Sequence, residues 1–362
     1  MKTIAQIKTI AQVKIPYLNL SEAFVYEQIT RMRRYRSIVL TDKPMANLDL
    51  FPLKEIFHLT EVADLERLLV TQGVSLIHAH SVPAALAMLE VKARLNLPLL
   101  VSLYETELNL LSRKNRPHVQ QLQNIFRQGE HLFVVSHHMR ERLAELGCQR
   151  QKVTILRPGI DMERFPFRPR APGGSDKTIC IASMVKFKDR GGLPMLIRAF
   201  AKVHDAFPNT GLEIYGNGER FQARLQELAA SLNLARHVRL RGIPTGAKLA
   251  DALTKAHLFC LPASSWGKSG ISVPILLAEA MATGLPVVST TYPGIEELIT
   301  NGVNGLLVPP GDLDGLVTRL AYLLGHREEW ASMGRAAHDR VKTSYNLARQ
   351  VEKLERLYDQ FT

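Results

Sequence analysis

The stretch from residue 274 to residue 290, PILLAEAMATGLPVVST, decides the fold. Its first residue predicts the start of a helix, because proline is favoured in the first turn, where its missing N–H has no intrahelical partner. Gly284 ends that helix, and the apolar run Val287–Ser289 after it predicts a buried strand. A helix that leads directly into a buried strand is typical of a parallel sheet with helices on its faces.

The same alternation of short apolar runs and amphipathic segments continues on both sides of this stretch. The apolar runs predict buried strands in two series. They are Ser37–Leu40, Leu76–Ala79, Leu99–Leu103 and Leu132–Val135, then Thr178–Ala182, Leu212–Tyr215, Val238–Leu240, Leu258–Leu261, Val287–Ser289 and Leu306–Val308. Helices are predicted at Glu22–Arg34, Val62–Thr71, Ala84–Leu95, Leu193–His204, Arg220–Ser231, Ile275–Thr283, His326–Val341 and Leu347–Tyr358. The fold class is α/β, with two doubly wound, Rossmann-like domains.

The length of 362 residues suits about two domains at ~100–200 residues each. The sequence FPFRPRAPGGS at 165–175 breaks the alternation, because its prolines and glycines exclude regular structure. We therefore expect a domain at 1–165, a linker at 166–176, a second domain at 177–345 and a final segment at 346–362. Ligands bind beyond the carboxyl ends of strands in such sheets, so the expected active site is a central cleft that the two domains face.

The composition excludes several classes of protein. Hydrophobic residues make up 46% of the chain, an apolar fraction that a disordered chain lacks. Lys and Arg number 46 against 34 Asp and Glu, and the net charge of +12 favours anionic partners. Three cysteines are too few and too far apart for a disulfide framework or a zinc site. We expect a cytoplasmic protein, because lysines interrupt the apolar runs of the N-terminal sequence and no stretch approaches the ~20 apolar residues of a membrane span.

The loop WGKSGIS at 266–272 precedes the helix of the opening stretch. It offers free backbone N–H groups at a helix N-terminus, an arrangement that favours a phosphate, and Lys268 adds positive charge. Glu279, two turns into the helix, is a candidate acceptor of hydrogen bonds from a ribose diol. A solvated helix residue is the alternative interpretation of Glu279 taken by itself.

His78 and His80 lie two residues apart in a predicted strand, so their side chains share one face. No third ligand is evident at short range, and packing or contact with an acceptor substrate is favoured over a metal site. The sequence G-N-G at 216–218 lacks the third glycine of a dinucleotide-binding fingerprint, so we expect neither NAD nor another cofactor. Nucleic acid is not an expected partner, because no aromatic-interleaved basic platform is present.

Several motifs together resemble the retaining family-4 glycosyltransferases of the GT-B fold, in particular the colanic-acid-type enzymes of bacterial exopolysaccharide and lipopolysaccharide synthesis. They are Pro16–Ile29, Ile77–His80, Val134–Arg140, Pro158–Asp161, Tyr215–Gly218, Pro262–Ser264 and Glu279–Asp312. The resemblance implies transfer of a hexose, with retention, from a nucleotide diphosphate sugar to a glycan or lipid-linked acceptor, without a metal. It also implies that the first domain binds the acceptor, the second binds the nucleotide sugar, and the final helix crosses back to the first domain.

The resemblance also assigns the site residues. Tyr104, at the position of a histidine that touches the donor sugar, and Lys188, a cation for the diphosphate, are the predicted catalytic residues. The predicted donor contacts are Ser183, Lys188, Arg190, Gly216, Gly270, Ile271, Ser272 and Glu279. The predicted acceptor-side residues are Ser21, Glu22, His80 and Glu105.

Three of these positions depart from the family pattern. Ile271 stands where relatives have a glutamate that meets sugar hydroxyls, Ser183 where they have an arginine, and Tyr104 where they have the histidine. Glu105 and Glu107 also replace a glycine and an aspartate. The departures leave open a second function, that of a catalytically impaired glycosyltransferase-like binding protein or partner subunit.

Basic residues are concentrated in the first domain. They are Arg31, Arg33, Arg34 and Arg36 at the end of a predicted helix, and Arg113, Lys114 and Arg116 in a predicted loop. Such clusters favour an anionic membrane surface, here the inner face of the cytoplasmic membrane, where lipid-linked acceptors reside. A solvated helix C-terminus stabilised by its dipole is the alternative for the first cluster.

Overall fold

The first strand, Thr9–Lys14, is buried along its whole length in the computed structural model of the protein. It pairs in parallel with a strand on either side, so it is an inner strand of its sheet. The structure describes residues 7–19, 22–42, 47–105, 107, 116–170, 178–184, 192–216, 218–244, 246–262 and 273–362. The described residues form two compact units, one with residues up to 159 and from 347 to 362, the other with residues from 160 to 346.

The first unit has a seven-stranded parallel sheet in the order β3-β2-β1-β4-β5-β6-β7. Its strands are β1 (Thr9–Lys14), β2 (Arg36–Thr41), β3 (Ile56–His58), β4 (Val74–Ala79), β5 (Leu99–Ser102), β6 (His131–Val134) and β7 (Val153–Ile155). The helices between them are α1 (Ala23–Thr30), α2 (Leu65–Thr71), α3 (Val82–Leu95), α4 (Arg116–Gln128) and α5 (His137–Glu145). The strand order reverses between β1 and β4, the kind of switch point at which α/β sheets bind ligands.

The second unit has a six-stranded parallel sheet in the order β10-β9-β8-β11-β12-β13. Its strands are β8 (Ile179–Met184), β9 (Thr210–Tyr215), β10 (Val238–Arg241), β11 (Leu258–Leu261), β12 (Val287–Thr290) and β13 (Leu306–Val308). Its helices are α6 (Leu193–Ala206), α7 (Glu219–Ser231), α8 (Ala247–Lys255), α9 (Val273–Ala282), α10 (Pro293–Glu296), α11 (Leu313–Gly325) and α12 (Trp330–Ser344). Two doubly wound parallel sheets confirm the predicted fold class.

The opening stretch has the predicted helix and strand. Pro274 is the second residue of α9, and β12 follows at Val287. Gly284 separates them with a φ of 82°, a left-handed backbone conformation that glycine adopts at no steric cost. The three-residue strands β3 and β7 were not predicted, because each contains a polar residue, whereas the equally short but fully apolar β13 was predicted.

The first predicted helix is shorter than its pattern indicated. Glu22–Arg34 was expected to be helical, whereas α1 ends at Thr30. The backbone N–H groups of Arg33 and Arg34 donate to Oε1 of Glu355, at 2.7 and 2.8 Å. These two donors are therefore bound to a residue more than 300 positions away instead of to the preceding helical turn.

The division between the units falls after Gly159, earlier than the boundary expected at residue 165. Residues 160–170 cluster with the second unit, so the predicted linker at 166–176 begins inside a packed segment; residues 171–176 lie outside the described residues. The Arg168 N–H donates to the Thr283 carbonyl oxygen at 3.0 Å. Buried Arg170 donates to the carbonyl oxygens of Leu253 and Thr254, both at 3.1 Å. These hydrogen bonds hold a proline-rich segment without regular structure against the second unit.

The last helix, α13 (Leu347–Tyr358), clusters with the first unit. Leu354 and Tyr358 are both 0% exposed. They belong to one apolar cluster with Ile10 of β1, Leu76 of β4 and other residues of the first sheet. One face of α13 therefore covers the centre of that sheet.

Candidate functional site

Polar side chains lie in the core of the first unit near the carboxyl ends of its central strands. Gln12 in β1, His78 in β4 and Ser102 in β5 are 0%, 0% and 3% exposed. Gln12 and His78 are register partners on neighbouring strands, and His80 and Tyr104 follow β4 and β5 closely. Because parallel strands end at the same edge of a sheet, these groups meet at the switch point of the sheet.

Hydrogen bonds connect these side chains with Tyr358 of α13. His80 Nδ1 lies 3.0 Å from Tyr104 Oη, and His80 Nε2 lies 2.9 Å from Gln12 Oε1. Gln12 Nε2 donates to Tyr358 Oη at 3.3 Å. His78 Nδ1 lies 2.6 Å from Tyr358 Oη, and His78 Nε2 lies 2.8 Å from Ser102 Oγ. We refer to these residues as the polar chain: Gln12, His78, His80, Ser102, Tyr104 and Tyr358.

Both histidines of the polar chain are uncharged at neutral pH. Burial lowers the pKa of His78 to about 3. Burial also lowers the pKa of His80 well below its usual range, and the nearby His78 and Lys14 lower it further. The two rings lie 4.2 Å apart between centroids, as expected for residues i and i+2 on one face. Each ring therefore has one N–H donor and one acceptor nitrogen.

Tyr104 lies where the polar chain reaches the surface. Its side chain is partly exposed, and its ring packs edge-on against Phe24, with centroids 5.2 Å apart. Burial, with the Glu22 carboxylate as the next cause, raises the pKa of Tyr104 well above its usual value. The phenol is therefore protonated at any physiological pH.

A small cleft lies beside Tyr104 within the first unit. Ser102, Gln28 and Arg157 also line it. The Nε2 atom of Gln28 is buried and has no hydrogen-bond partner among the described residues. A hydroxyl group in the cleft would therefore meet hydrogen-bond donors as well as hydroxyl oxygens.

Glu22, a predicted acceptor-side residue, forms an ion pair at the end of β1. Its Oε1 atom lies 3.1 Å from Nζ of Lys14, whose side chain is 5% exposed. Its Oε2 atom accepts the backbone N–H of Asn19 at 2.9 Å. Glu22 compensates the positive charge of the buried Lys14. It therefore has a structural role in addition to any contact with substrate.

The two acidic residues after Tyr104 are nearly buried, with Glu105 8% and Glu107 7% exposed. Glu107 Oε2 accepts the backbone N–H of Tyr104 at 3.0 Å. Glu107 therefore holds the backbone that carries the Tyr104 ring. Contact between Glu105 and an acceptor stays a prediction.

Glu279 lies on α9 of the second unit with a partly buried side chain. Burial raises the pKa of its carboxyl to about 7, while Arg164 opposes this rise. The segment 160–170 supplies Arg164 and belongs to the same unit. Glu279 is therefore a carboxyl group near half-ionisation at neutral pH, unlike a solvated glutamate, which is fully ionised there.

Two other predicted donor contacts lie at strand ends of the second unit. Ser183 in β8 is 0% exposed, and its Oγ has no partner among the described residues. Gly216 follows β9, and its N–H donates to the Arg241 carbonyl oxygen at 2.9 Å. A buried Ser183 has no exposed surface for a ligand, so its direct contact with a donor stays a prediction.

Several predicted site residues lie outside the described residues. They are Ser21, Lys188, Arg190, Gly270, Ile271 and Ser272. Their roles stay predictions. Within the described part of the chain, no three His, Cys, Asp or Glu side chains are grouped so that they could hold a metal ion.

The predicted basic surface at the end of α1 is largely paired with carboxylates. Arg34 Nη2 lies 2.5 Å from Asp359 Oδ1, Arg36 pairs with Glu55, and Arg31 Nε lies 3.6 Å from Glu27 Oε2. Arg113 and Lys114 lie outside the described residues. The local charge that a membrane would meet at α1 is therefore smaller than the sequence indicated.

Gln12, Ser102 and Tyr358 were missed by the sequence interpretation. Gln12 interrupts the otherwise apolar run TIAQV of β1, and a polar residue in the middle of a buried strand is a signal for a buried hydrogen-bond network. Ser102 and Tyr358 carry no such signal, because both residue types are common at strand ends and on helices.

Comparison with known proteins agrees with this architecture. The model for Glycosyltransferase Family 4 matches residues 27–164, and that for Glycosyl transferases group 1 matches residues 176–326. Anabaena HepE, solved in complex with UDP, superposes with a TM-score of 0.80 at 16% identity over 98% of this chain and 100% of that one. The fold and the two matched domains therefore define a glycosyltransferase of the GT-B fold.

Sequence relatives place the chain more narrowly. It is 31% identical over 230 residues to the amylovoran biosynthesis glycosyltransferase AmsK of Erwinia amylovora, covering 63% of this chain and 56% of that protein. Residues 27–164 match the family-4 glycosyltransferase model, and the relatives of the chain include proteins of exopolysaccharide synthesis. The chain is also 32% identical over 213 residues, 55% of this chain and 54% of the relative, to a GDP-mannose-dependent phosphatidylinositol monomannoside mannosyltransferase of Mycolicibacterium smegmatis. The chain spans about half the length of the curated relatives it matches.

No helix in the described ranges is long and apolar enough to cross a membrane.

Proposed function

We propose that the protein transfers a hexose from a nucleotide diphosphate sugar to a glycan or lipid-linked acceptor, with retention, in the synthesis of a bacterial surface polysaccharide. The observation that carries the proposal is the position of Tyr104. This residue occupies the sugar-contacting position of the family motif and lines a small cleft of the first unit, together with the polar side chains of Ser102, Gln28 and Arg157. HepE, whose fold the chain shares, has been solved with UDP and glucose, which supports a nucleotide sugar as the donor.

The chemistry requires stabilisation of an anionic leaving group. The bond between the anomeric carbon and the diphosphate oxygen breaks, and a bond from that carbon to the acceptor hydroxyl oxygen forms on the same face. The acceptor proton passes to the departing diphosphate. Fixed donors and cations at the diphosphate lower this barrier, and we assign that role to the N–H groups of Gly270 and Ser272 and to Lys188 or Arg190, without a metal or other cofactor.

Glu279 is proposed as the ligand of the ribose diol. A carboxylate accepts two hydrogen bonds from adjacent hydroxyls, and a carboxyl with a pKa of about 7 is deprotonated by the binding of such donors at neutral pH. The acceptor would approach from the side of Ser21, Glu22, His80 and Glu105. Tyr104 would bind a hydroxyl of the transferred sugar.

The site of action is proposed to be the cytoplasm, at the inner face of the membrane. The net charge of +12 favours anionic lipid, although the arginines at the end of α1 are largely paired. Co-sedimentation with vesicles of neutral and acidic lipid tests this part of the proposal. Equal binding to both kinds of vesicle would contradict it.

The donor site is tested by isothermal titration with UDP, GDP and ADP. At least one should bind below millimolar concentration, and Glu279→Gln should weaken that binding by about tenfold, the loss of a charge-assisted hydrogen bond. Exposed Glu296, on α10 of the same unit, provides the control Glu296→Gln, which should bind like the wild type. Failure of all three nucleotides to bind the wild type would exclude the donor site.

Turnover is tested with a panel of nucleotide sugars, scored by release of nucleoside diphosphate with and without lipid-linked acceptor. Acceptor-dependent release from any donor would support the enzyme. Nucleotide binding without release from any donor would instead support the alternative of a catalytically impaired partner subunit.

A further inference from the structure

We propose that Tyr358, on the last helix, is a positioning residue that sets the orientation of the Tyr104 hydroxyl through Gln12 and His80. Tyr358 itself is 0% exposed, so it has no surface with which to contact a substrate. The inference rests on the proposed function in one respect, the contact of Tyr104 with the transferred sugar. It assigns a role in the transfer site to a helix that is distant in sequence from every motif of that site.

The orientation of the Gln12 amide is the first step. The Ser37 hydroxyl donates to the sulfur of Met32 at 3.6 Å, so its oxygen has lone pairs left to accept. Gln12 Nε2 lies 3.5 Å from Ser37 Oγ and 3.8 Å from the same sulfur. A thioether sulfur only accepts, so the amide nitrogen of Gln12, and not its oxygen, faces this side. Gln12 Oε1 consequently faces His80.

The remaining protons follow from this orientation. Since Gln12 Oε1 only accepts, Nε2 of His80 carries the proton of that 2.9 Å bond. His80 is uncharged, so its Nδ1 is an acceptor, and the Tyr104 hydroxyl donates to it at 3.0 Å. The oxygen of Tyr104 also accepts a hydrogen bond from the Ser102 hydroxyl. Its remaining lone pair is available to accept a hydrogen bond from a substrate hydroxyl.

Tyr358 holds the other end of Gln12. Its oxygen accepts from Gln12 Nε2 at 3.3 Å, and its own proton goes to His78 Nδ1 at 2.6 Å. His78 then donates from Nε2 to Ser102 Oγ at 2.8 Å. Without the Tyr358 hydroxyl, Gln12 loses an acceptor and His78 loses its donor. The Gln12 amide nitrogen then keeps only its longer contacts with Ser37 Oγ and the Met32 sulfur, at 3.5 and 3.8 Å. The amide is held less firmly, and the proton of His80 is no longer fixed on Nε2.

The test is a double-mutant cycle on turnover with the best donor of the panel. Tyr358→Phe keeps the buried ring and removes the hydroxyl, and it should lower kcat about tenfold, with a smaller change in KM for the donor. Tyr104→Phe should lower kcat by at least as much. Because Tyr358 acts through Tyr104, the double variant should equal Tyr104→Phe alone. If the two substitutions lowered kcat independently, so that their factors multiplied in the double variant, the proposal would be overturned.

Tyr35→Phe is the matched control. The Tyr35 ring packs edge-on against Tyr358, with centroids 5.3 Å apart, and its hydroxyl bonds to Asp359 and Thr362. It lies at the same helix contact but outside the polar chain. The kcat of Tyr35→Phe should match that of the wild type. A decrease in kcat equal to that of Tyr358→Phe would indicate a merely structural effect and overturn the proposal.

Nitrogen NMR of the histidine rings gives a readout that does not depend on activity. The wild type should show His80 protonated at Nε2, and Tyr358→Phe should give a mixture of tautomers at His80. Should Tyr358→Phe not fold, Gln12→Met, of similar volume, should give the same change. An unchanged His80 tautomer in the folded variant would overturn the inference. If the wild type turns over no donor, the proposed function fails, whereas the NMR result still decides the positioning role.

Discussion

Lys14 Nζ lies 3.1 Å from Glu22 Oε1, and this ion pair joins the end of β1 to the beginning of α1. The lysine side chain is 5% and the glutamate side chain 21% exposed. Taking a lysine out of water is costly unless its charge is compensated, so the pair stabilises the fold mainly by preventing an unpaired buried cation.

Glu22→Gln should destabilise the first unit by about 3 kcal/mol, because it leaves the Lys14 charge buried and unpaired. Hydrogen exchange at the amides of β1 measures this change as a free energy of opening. The control is Glu352→Gln in α13, which removes an exposed pair with Arg356 at 2.8 Å. It should cost at most about 0.5 kcal/mol. Equal effects of the two substitutions would contradict the buried-pair interpretation.

Acid should destabilise the first unit through His78. Burial lowers its pKa to about 3 in the folded protein, whereas the unfolded chain takes up a proton at about 6.5. The stabilisation is therefore fully present above pH 6.5 and is lost as the pH falls towards 3, by about 1.4 kcal/mol per pH unit. Hydrogen exchange at β4 between pH 7 and pH 5 should show this slope, and His78→Gln should reduce it.

His137→Gln is the control for this slope. His137 is an exposed residue at the start of α5 in the same unit. Its replacement should leave the acid dependence of β4 unchanged. A slope equally steep in His78→Gln and in the wild type would show that other groups cause the acid sensitivity.

Glu279 should make the second unit less stable as the pH rises. Burial raises the folded pKa to about 7 from the ordinary 4.5, so the stabilisation is fully present below pH 4.5 and is lost as the pH passes through 7. Glu279→Gln should therefore be more stable than the wild type at pH 8, by about 1–2 kcal/mol given its partial exposure. Both tryptophans, Trp266 and Trp330, lie in this half of the sequence, so urea unfolding followed by tryptophan fluorescence measures the change. The gain in unfolding free energy of Glu279→Gln over the wild type should be larger at pH 8 than at pH 5. An equal gain at both pH values would contradict the raised pKa.

Gly334→Ala should disrupt the contact between α12 and the end of α9. A Cβ at residue 334 would overlap the backbone carbonyl oxygen of Gly284, which cannot rotate away as a flexible side chain does. Overpacking of this kind costs about 1–3 kcal/mol, measured in the second unit by the same fluorescence. Gly325→Ala, at the end of α11, meets nothing within 4 Å and should be neutral or slightly stabilising. Similar urea midpoints of unfolding for the two variants would contradict the close approach of residue 334 to the Gly284 carbonyl oxygen.

Much of the fold could be predicted from local sequence. Strands such as Leu99–Ser102 and Leu258–Leu261 are continuous apolar runs, and the helix at α9 has a proline at its start and a glycine after its end. Such signals act between near neighbours, so they remain readable without the fold. The strands β3 and β7 and the end of α1 were not predicted, whereas the equally short β13 was, because all three of its residues are apolar.

The candidate site divides in the same way. The sequence by itself determined the α/β class and the two-domain order, and it indicated Tyr104, His80 and Glu279 as candidate site residues, because spacing and residue type are local properties. Only the tertiary structure decided that Tyr358 meets His78, at 280 residues' separation, and that Glu355 accepts the backbone N–H groups of Arg33 and Arg34 after α1. It also decided the charge states of His78 and Glu279, because a pKa depends on the surroundings that packing brings to a group and not on the neighbours in the chain.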